Sequence, residues 1–385
     1  MKLVKMSLVA ALLVGTSAFA IENTKVSGTA SIFYGTDDSG EGLFNKDTAL
    51  GQAGLGLGLT TDLSDTVKAN THLTVLSTLG LEGQLVNNVW ESTNGVDDSY
   101  WFDTANISAN LGKTNVTIGR LALDTPLVFT ETWSIATNTF EAAVLANTDL
   151  PDTTLVAAYV GGSNGAVDQG TGGMVVGAFN ANGTTNFSQF YNGAYTVGAV
   201  NNSWKPLTAQ AWYYSATSVG TAYWVQGDLN MDGILAGVQY TGQELDGVGA
   251  DATSAMAFMV GYEMKDTVTA KLSYSMVDDA ADAGSNLSGS GMSKLYTESW
   301  WTWLVSTADT TAMNVTVEAP VAGIDLGLYA TMASNDTADT DDMEVTVTAA
   351  KSIDGLDIAV AYIMTDLDAN VDAINSVQAF LTYNF

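Results

Sequence analysis

The sequence predicts an all-β fold, a transmembrane antiparallel β-barrel of about eighteen strands with sixteen as the alternative. Three observations carry that prediction. The chain opens on a segment with the plan of a secretory signal. No later apolar run is long enough for a membrane helix. Short segments of alternating polarity then recur between turn residues.

The opening segment is "MKLVKMSLVAALLVGTSAFA". Lys2 and Lys5 form a basic start, Leu8 to Val14 a short apolar core, and Ala18 and Ala20 the small residues of a cleavage site. An uncleaved helical anchor needs roughly 20 apolar residues, so residues 1–20 are expected to be removed and 21–385 to form the barrel. Setting aside Lys2 and Lys5 leaves 10 basic against 42 acidic residues, a net charge of −32. Such a surface excludes nucleic acid as a partner, because phosphates call for basic patches. It equally excludes polybasic docking on anionic lipid. Cysteine is absent, which removes disulfides and thiol chemistry.

Only 14% of residues are charged, against roughly 25% in an ordinary soluble domain. An exported chain with few charges and no apolar blocks suits the closed barrel, which satisfies every backbone group between strands. In "KVSGTASIFY", Val26, Ala30, Ile32 and Tyr34 share one face, and Lys25, Ser27, Thr29 and Ser31 the other. "TVKANTHLTV" sets Val67, Ala69, Leu73 and Val75 against Lys68, Asn70, His72 and Thr74. "TVTAKLSYSM" and "MEVTVTAA" repeat the pattern, and the apolar face carries no charge in any of the four.

The connections alternate in length, as such barrels require. The short ones are "TDLSDT", "LGKT", "TDLPDT", "NNSWKP", "NMDG", "MKDT", "APVAG" and "IDG", expected on the periplasmic side with both termini. Longer ones cover residues 80–99, 121–138, 161–189 and 278–307. So many strands enclose more space than side chains fill, which predicts a water-filled lumen. At the end of the chain, "VQAFLTYNF" puts Val377, Ala379, Leu381, Tyr383 and Phe385 on one parity. That strand is expected to pair with the first. Leu381, Tyr383 and Phe385 would face lipid, the aromatic pair in the interfacial girdle with Tyr34, Tyr213, Tyr274 and Tyr362. A terminal Phe of this kind also resembles the signal read by the outer-membrane barrel-assembly machinery.

Arg120, the single arginine of the chain, stands in "TIGRLALDTPLVFTETW" before the third external loop. Such a loop often folds inward and narrows the lumen, and Asp124 and Glu131 on it would then face Arg120 or lysines on the wall, across a field that selects hydrated ions. Strand parity carries Arg120 outward with Val116 and Ile118, unless Gly119 introduces a bulge. The cost of a charge on the lipid face favours the bulge, with an Arg snorkelling at the outer rim as the alternative. Lys25, Lys68, His72, Glu141, Lys271, Glu318 and Glu344 fall on lumen-facing parity and would line a wet wall. His72 has only Thr74 as a same-face hydroxyl, too little for a nucleophile, base and orienting group, so no enzyme is predicted. Trp300, Trp301 and Trp303 suit an interface belt, a subunit contact or a loop cap. "DDSGEG" and "DTADTDD" lack the spacing of a calcium loop and read as hydrated loops.

The strings "GRLALDTPLVFTETW", "NTFEAAVLANTDLPDTTLVAAYVG", "SKLYTESWW" and "VQAFLTYNF" resemble the Campylobacter-type major outer membrane porins of the epsilonproteobacteria. The similarity runs the full length and is strongest over residues 100–160. It implies a homotrimer in outer-membrane lipid and lipopolysaccharide, a third loop constricting each pore, and passage of small hydrophilic solutes and cations. It also implies calcium near the constriction, with Asp124, Glu298 and Glu131 as candidate ligands. The reading from the residues agrees on a passive, cation-preferring porin, since net negative walls concentrate cations. A substrate-specific channel and a barrel-anchored adhesin are the alternatives.

Overall fold

The computed structural model describes residues 23–77, 79–80, 99–133, 135–165, 187–217, 220–245, 252–288, 291–368 and 372–385. The expected signal segment, residues 1–20, lies outside them. Eighteen strands follow one another: β1 (Lys25–Asp37), β2 (Leu50–Asp62), β3 (Val67–Ser77), β4 (Ser99–Leu111), β5 (Thr114–Leu121) and β6 (Phe140–Asn147). Next come β7 (Thr153–Ser163), β8 (Ser188–Asn201), β9 (Leu207–Ala216), β10 (Gly220–Met231), β11 (Ile234–Leu245) and β12 (Thr253–Met264). The last are β13 (Val268–Val277), β14 (Thr310–Val321), β15 (Ile324–Asn335), β16 (Thr340–Ile353), β17 (Leu356–Asp366) and β18 (Ile374–Asn384). Each pairs antiparallel with its sequence neighbours, and β1 pairs both β2 and β18. The sheet is therefore a closed barrel with no open edge.

Closure is built from the C-terminal residues. The β1–β18 register runs from Thr29 opposite Asn384 to Asp37 opposite Ser376. Gly28 and Phe385 exchange both backbone hydrogen bonds, at 2.7 and 2.9 Å. The far end of the Phe385 ring lies against Gly28, where an added Cβ would meet its Cζ at 2.2 Å, and Tyr383 stacks beside it with centroids 6.2 Å apart. Leu381, Tyr383 and Phe385 are exposed on the outer face, as their parity requires.

All eight short connections are turns between consecutive strands, and they gather at one end of the barrel. The β5–β6 and β13–β14 connections lie at the other end, while most of the expected long loops 80–99 and 161–189 falls outside the described residues. On the outer face Val26, Ile32, Leu55, Val197, Val260, Leu272 and Met332 stand exposed. The inner face is polar or small: Ser31, Thr196, Gln239, Ser273, Asn314, Thr331 and Gln378 are all buried there. In "GLGLGL" the leucines point out, while Gly54, Gly56 and Gly58 leave a trough on the lumen wall. The His72 ring fills that trough, so close that a Cβ on Gly56 would meet its Nε2 at 2.6 Å.

The buried cluster of this protein lies inside the barrel. Leu123, Leu127 and Val128 of the β5–β6 loop pack on Phe140, Val160, Phe190, Trp212 and Tyr214 of the wall. Ala283, Leu295 and Val305 of the β13–β14 loop join the same cluster near Ala257, Ala312 and Ala333. Trp300, Trp301 and Trp303 belong to this second loop and to no strand, which removes the interface-belt alternative.

Candidate functional site

Two loops enter the lumen and clasp each other across it. Residues 122–139 connect β5 to β6, and residues 278–309 connect β13 to β14. The clasp centres on Asn286. Its Oδ1 accepts from Phe129 N at 3.2 Å, and its Nδ2 donates to Phe129 O at 2.9 Å and to Glu131 Oε1 at 3.0 Å. One amide side chain thus does what a neighbouring strand would do, satisfying both backbone groups of Phe129. Leu287 N donates to Leu127 O at 2.8 Å, and Trp133 meets Trp301 edge-on at 6.3 Å.

The wall holds the second loop in the same way. Gln239 on β11 donates to Lys294 O at 2.8 Å and accepts from Tyr296 N at 3.0 Å. The Tyr296 ring lies over Gly237, where a Cβ would meet its hydroxyl at 2.4 Å, and that hydroxyl donates to Asp228. Burial, with the bond to Asp228 adding to it, pushes the Tyr296 phenol up, so it stays a donor. Farther along, Glu344 of β16, only 1% exposed, accepts backbone N–H groups of Trp300 (2.8 Å), Trp301 (3.0 Å) and Thr302 (2.6 Å). The hydroxyls of Thr302 and Thr346 complete the set at 2.6 and 3.0 Å. Successive backbone donors around one anion form a nest. Glu344, expected merely to wet the wall, is a buried anchor.

Among the residues expected at the constriction, Asp124 and Glu131 do stand on the inward loop, but Arg120 meets neither. Its guanidinium donates to Glu141 Oε1 (Nε at 3.0 Å) and to Phe102 O (3.2 Å), with Phe187 3.9 Å away in a cation–π contact. The expected bulge at Gly119 is not formed. The β4–β5 and β5–β6 registers run through Gly119 and Arg120 without a shift, because Gly119 takes a φ of 129° and absorbs the distortion itself. Arg120 keeps the parity of Ile118, which is 59% exposed on the outer face. Glu141 shares the parity of exposed Leu145, so its assignment to the lumen is corrected too. The two charges pair with each other where β5 ends.

Asp124 is ion-paired to Lys294 of the second loop. Glu131 is buried, accepting from Trp133 Nε1 at 2.9 Å as well as from Asn286. Part of the Glu298 residue reaches solvent but its carboxyl does not. Oε2 accepts from Ser293 N at 3.0 Å and from the Ser293 hydroxyl, while Oε1 is buried without a partner among the described residues. Burial, reinforced by the charges on Glu344 and Glu131, pushes the Glu298 carboxyl up to about 8. The expected calcium set of Asp124, Glu131 and Glu298 is therefore not assembled. Asp124 is exposed and paired with a lysine, Glu131 is engaged by nitrogen donors, and one free oxygen does not make a coordination shell. Among the described residues no three His, Cys, Asp or Glu side chains come together as metal ligands.

Lys25, Lys68, His72, Lys271 and Glu318 share strand faces with buried or polar inward residues, as their parity requires. Lys68 pairs with Asp62 at 3.6 Å near the turn end. His72 Nδ1 contacts Asp103 Oδ2 at 2.6 Å, and Thr74 donates to the same oxygen, so histidine and hydroxyl do not meet as base and nucleophile. Asp103 reaches them through a register shift opposite His72 and Leu73 that turns it inward. A lumen cavity of about 360 Å³ near the turns is lined by Glu263, Glu318, Asp325 and Tyr329, with the Tyr329 hydroxyl donating to Glu318 at 2.8 Å. Sequence reasoning missed Lys294, Asn286, Gln239 and Asp103. A lone lysine in an otherwise acidic loop was the one signal available for the first, and the others carry none.

The barrel fold recurs in known structures. The chain superposes on the Acinetobacter baumannii channel OccAB3 with a TM-score of 0.77, covering 95% of this chain and 100% of that one at 14% identity. It has the fold of an outer-membrane channel. The BenF-like porin of Pseudomonas fluorescens Pf-5 is similar at a TM-score of 0.76 and 12% identity, covering 95% and 99%. OccK8 (OprE) of Pseudomonas aeruginosa is similar at 0.73 and 16%, covering 95% and 98%. No family model matches the chain, and no curated protein matches it in sequence.

Proposed function

We propose that this chain is an outer-membrane porin through which small hydrophilic solutes and ions diffuse passively, cations in preference to anions. The observation that carries the reading is a closed eighteen-stranded barrel with a polar inner wall, crossed by two clasped loops. Every strand is paired on both sides around the barrel, so the outer face can meet lipid while the inner face stays wet. No covalent step is needed. A hydrated solute enters at the loop end, passes the constriction and leaves among the turns. Among the described residues His72 and Thr74 both bind Asp103 rather than pairing as base and nucleophile, which does not favour the enzyme reading.

Charge placement supports the cation preference. Lys25, Lys68, Lys113, Lys205, Lys265 and Lys351 all lie at the turn end, which leaves the loop end acidic. An acidic mouth concentrates cations within about 8–10 Å at physiological salt. Reversal potentials across planar bilayers under a KCl gradient test this: cation preference should be clear at low salt and weaken at high salt. Anion preference would overturn it.

A solute-specific channel is the second reading, favoured by the ordered contacts across the lumen. One similar structure is that of Pseudomonas aeruginosa OpdK with vanillate; that ligand belongs to that protein, and the acidic balance here argues against an anionic aromatic. Saturable flux would select the second reading, and linear flux the first. The resemblance to Campylobacter-type porins adds a homotrimer embedded in lipopolysaccharide to the proposal. Cross-linking of the native membrane protein tests that.

A further inference from the structure

The two constricting loops hold one basic residue between them, Lys294. Its ammonium is ion-paired to Asp124 on the opposite loop and stands 4.7 Å from the centroid of the Phe129 ring. Carboxylate on one side and aromatic face on the other is the environment an ammonium group seeks. Neither half depends on the lysine side chain for its position. Asp124 and Phe129 bridge each other through their backbones, and Asn286 clamps Phe129 from behind. The Lys294 backbone is fixed separately, by Gln239. The Asp124 side chain is 92% exposed, so solvent reaches the carboxylate even while the lysine is on it.

We propose that Asp124 and Phe129 form a site for a primary ammonium group at the constriction, and that Lys294 is its tethered occupant. The proposal rests on the channel reading and adds a solute class to it, small molecules bearing a primary ammonium. An exposed ion pair is worth little, which makes the lysine exchangeable. A short tether presents its ammonium at an effective concentration on the order of millimolar. Solute cations at that concentration and above therefore compete for Asp124, and each displacement hands a cation through the narrow section. Lys294 sets the threshold, and the loops stay clasped through Asn286 whichever ammonium is bound.

The test uses the full-length protein in planar bilayers, with methylammonium and tetramethylammonium as probes. Tetramethylammonium has the charge but no N–H to give Asp124. In the wild type, millimolar methylammonium should reduce the potassium current more than tetramethylammonium does. Lys294→Gln should raise the permeability of methylammonium relative to tetramethylammonium by roughly two- to five-fold, the range an exposed pair supports. The double variant Lys294→Gln, Asp124→Asn should lose that gain, and Lys294→Arg should stay near the wild type. Equal effects of the two probes on the wild type, or a gain that survives in the double variant, would overturn the ammonium site while leaving the channel intact. A wild-type protein that does not conduct would overturn the channel reading first.

Discussion

Replacing Glu344 by Gln keeps the shape of the side chain and removes its charge. In the native protein the carboxylate accepts five donors: three consecutive backbone N–H groups from Trp300 to Thr302, and the hydroxyls of Thr302 and Thr346. The amide offers one oxygen with two lone pairs, and its NH2 faces donors instead of accepting from them. At least three of the five contacts are lost. A hydrogen bond to a charged group is worth about 1.5–3 kcal/mol, so a loss of at least about 4.5 kcal/mol is expected before the segment relaxes into water. The barrel itself does not depend on these bonds, because β16 keeps both its strand neighbours. The energy is therefore lost locally, from residues 300–302, which should leave the wall and release Trp301 from Trp133. Single-channel recording reads the result as changed mean conductance with added current noise, in a protein that still migrates as a folded barrel. Thr302→Val removes one side-chain contact and should produce a much smaller change. Native conductance and native noise in Glu344→Gln would refute the view that this carboxylate holds the loop in the lumen.

Two further outcomes follow from closure and from the enclosed carboxyl. Gly28→Val places a side chain where the Phe385 ring lies, and should lower the yield of heat-resistant barrel; Ser27→Ala, beside it on the inner face, should not. Glu298 has a carboxyl raised in the folded state, so its contribution to stability is full below the ordinary carboxylate value and lost as pH rises towards and through about 8. Thermal unfolding in detergent should show the wild type losing stability between about pH 5 and pH 8.5, by up to about 1.4 kcal/mol per pH unit. Glu298→Gln should flatten that dependence, and an unchanged slope would count against the assignment.

Calcium enters none of these expectations. The resemblance pointed to Asp124, Glu131 and Glu298 as one set, and the three acids do share the constricting loops. Their environments separate them: Asp124 is in water beside a lysine, Glu131 is buried against Trp133 and Asn286, and Glu298 is enclosed with an unpartnered oxygen.

The sequence by itself determined the barrel, because the period-two alternation that sorts side chains between lipid and water is local. Ten residues of a strand are enough to display it. Strand number, the eight turns, the inward parity of Lys68, His72 and Lys271, and the outward parity of Phe385 all come from that one pattern. Arg120 shows its strength: plain parity was right, and the bulge invoked to rescue the charge was not needed once Glu141 stood beside it. Only the tertiary structure decided how the lumen is narrowed. Asn286 meets Phe129 from 157 positions away, and Lys294 meets Asp124 from 170. Such contacts are fixed by where the closed wall delivers the ends of two loops, and no periodicity within either loop encodes the distance between them.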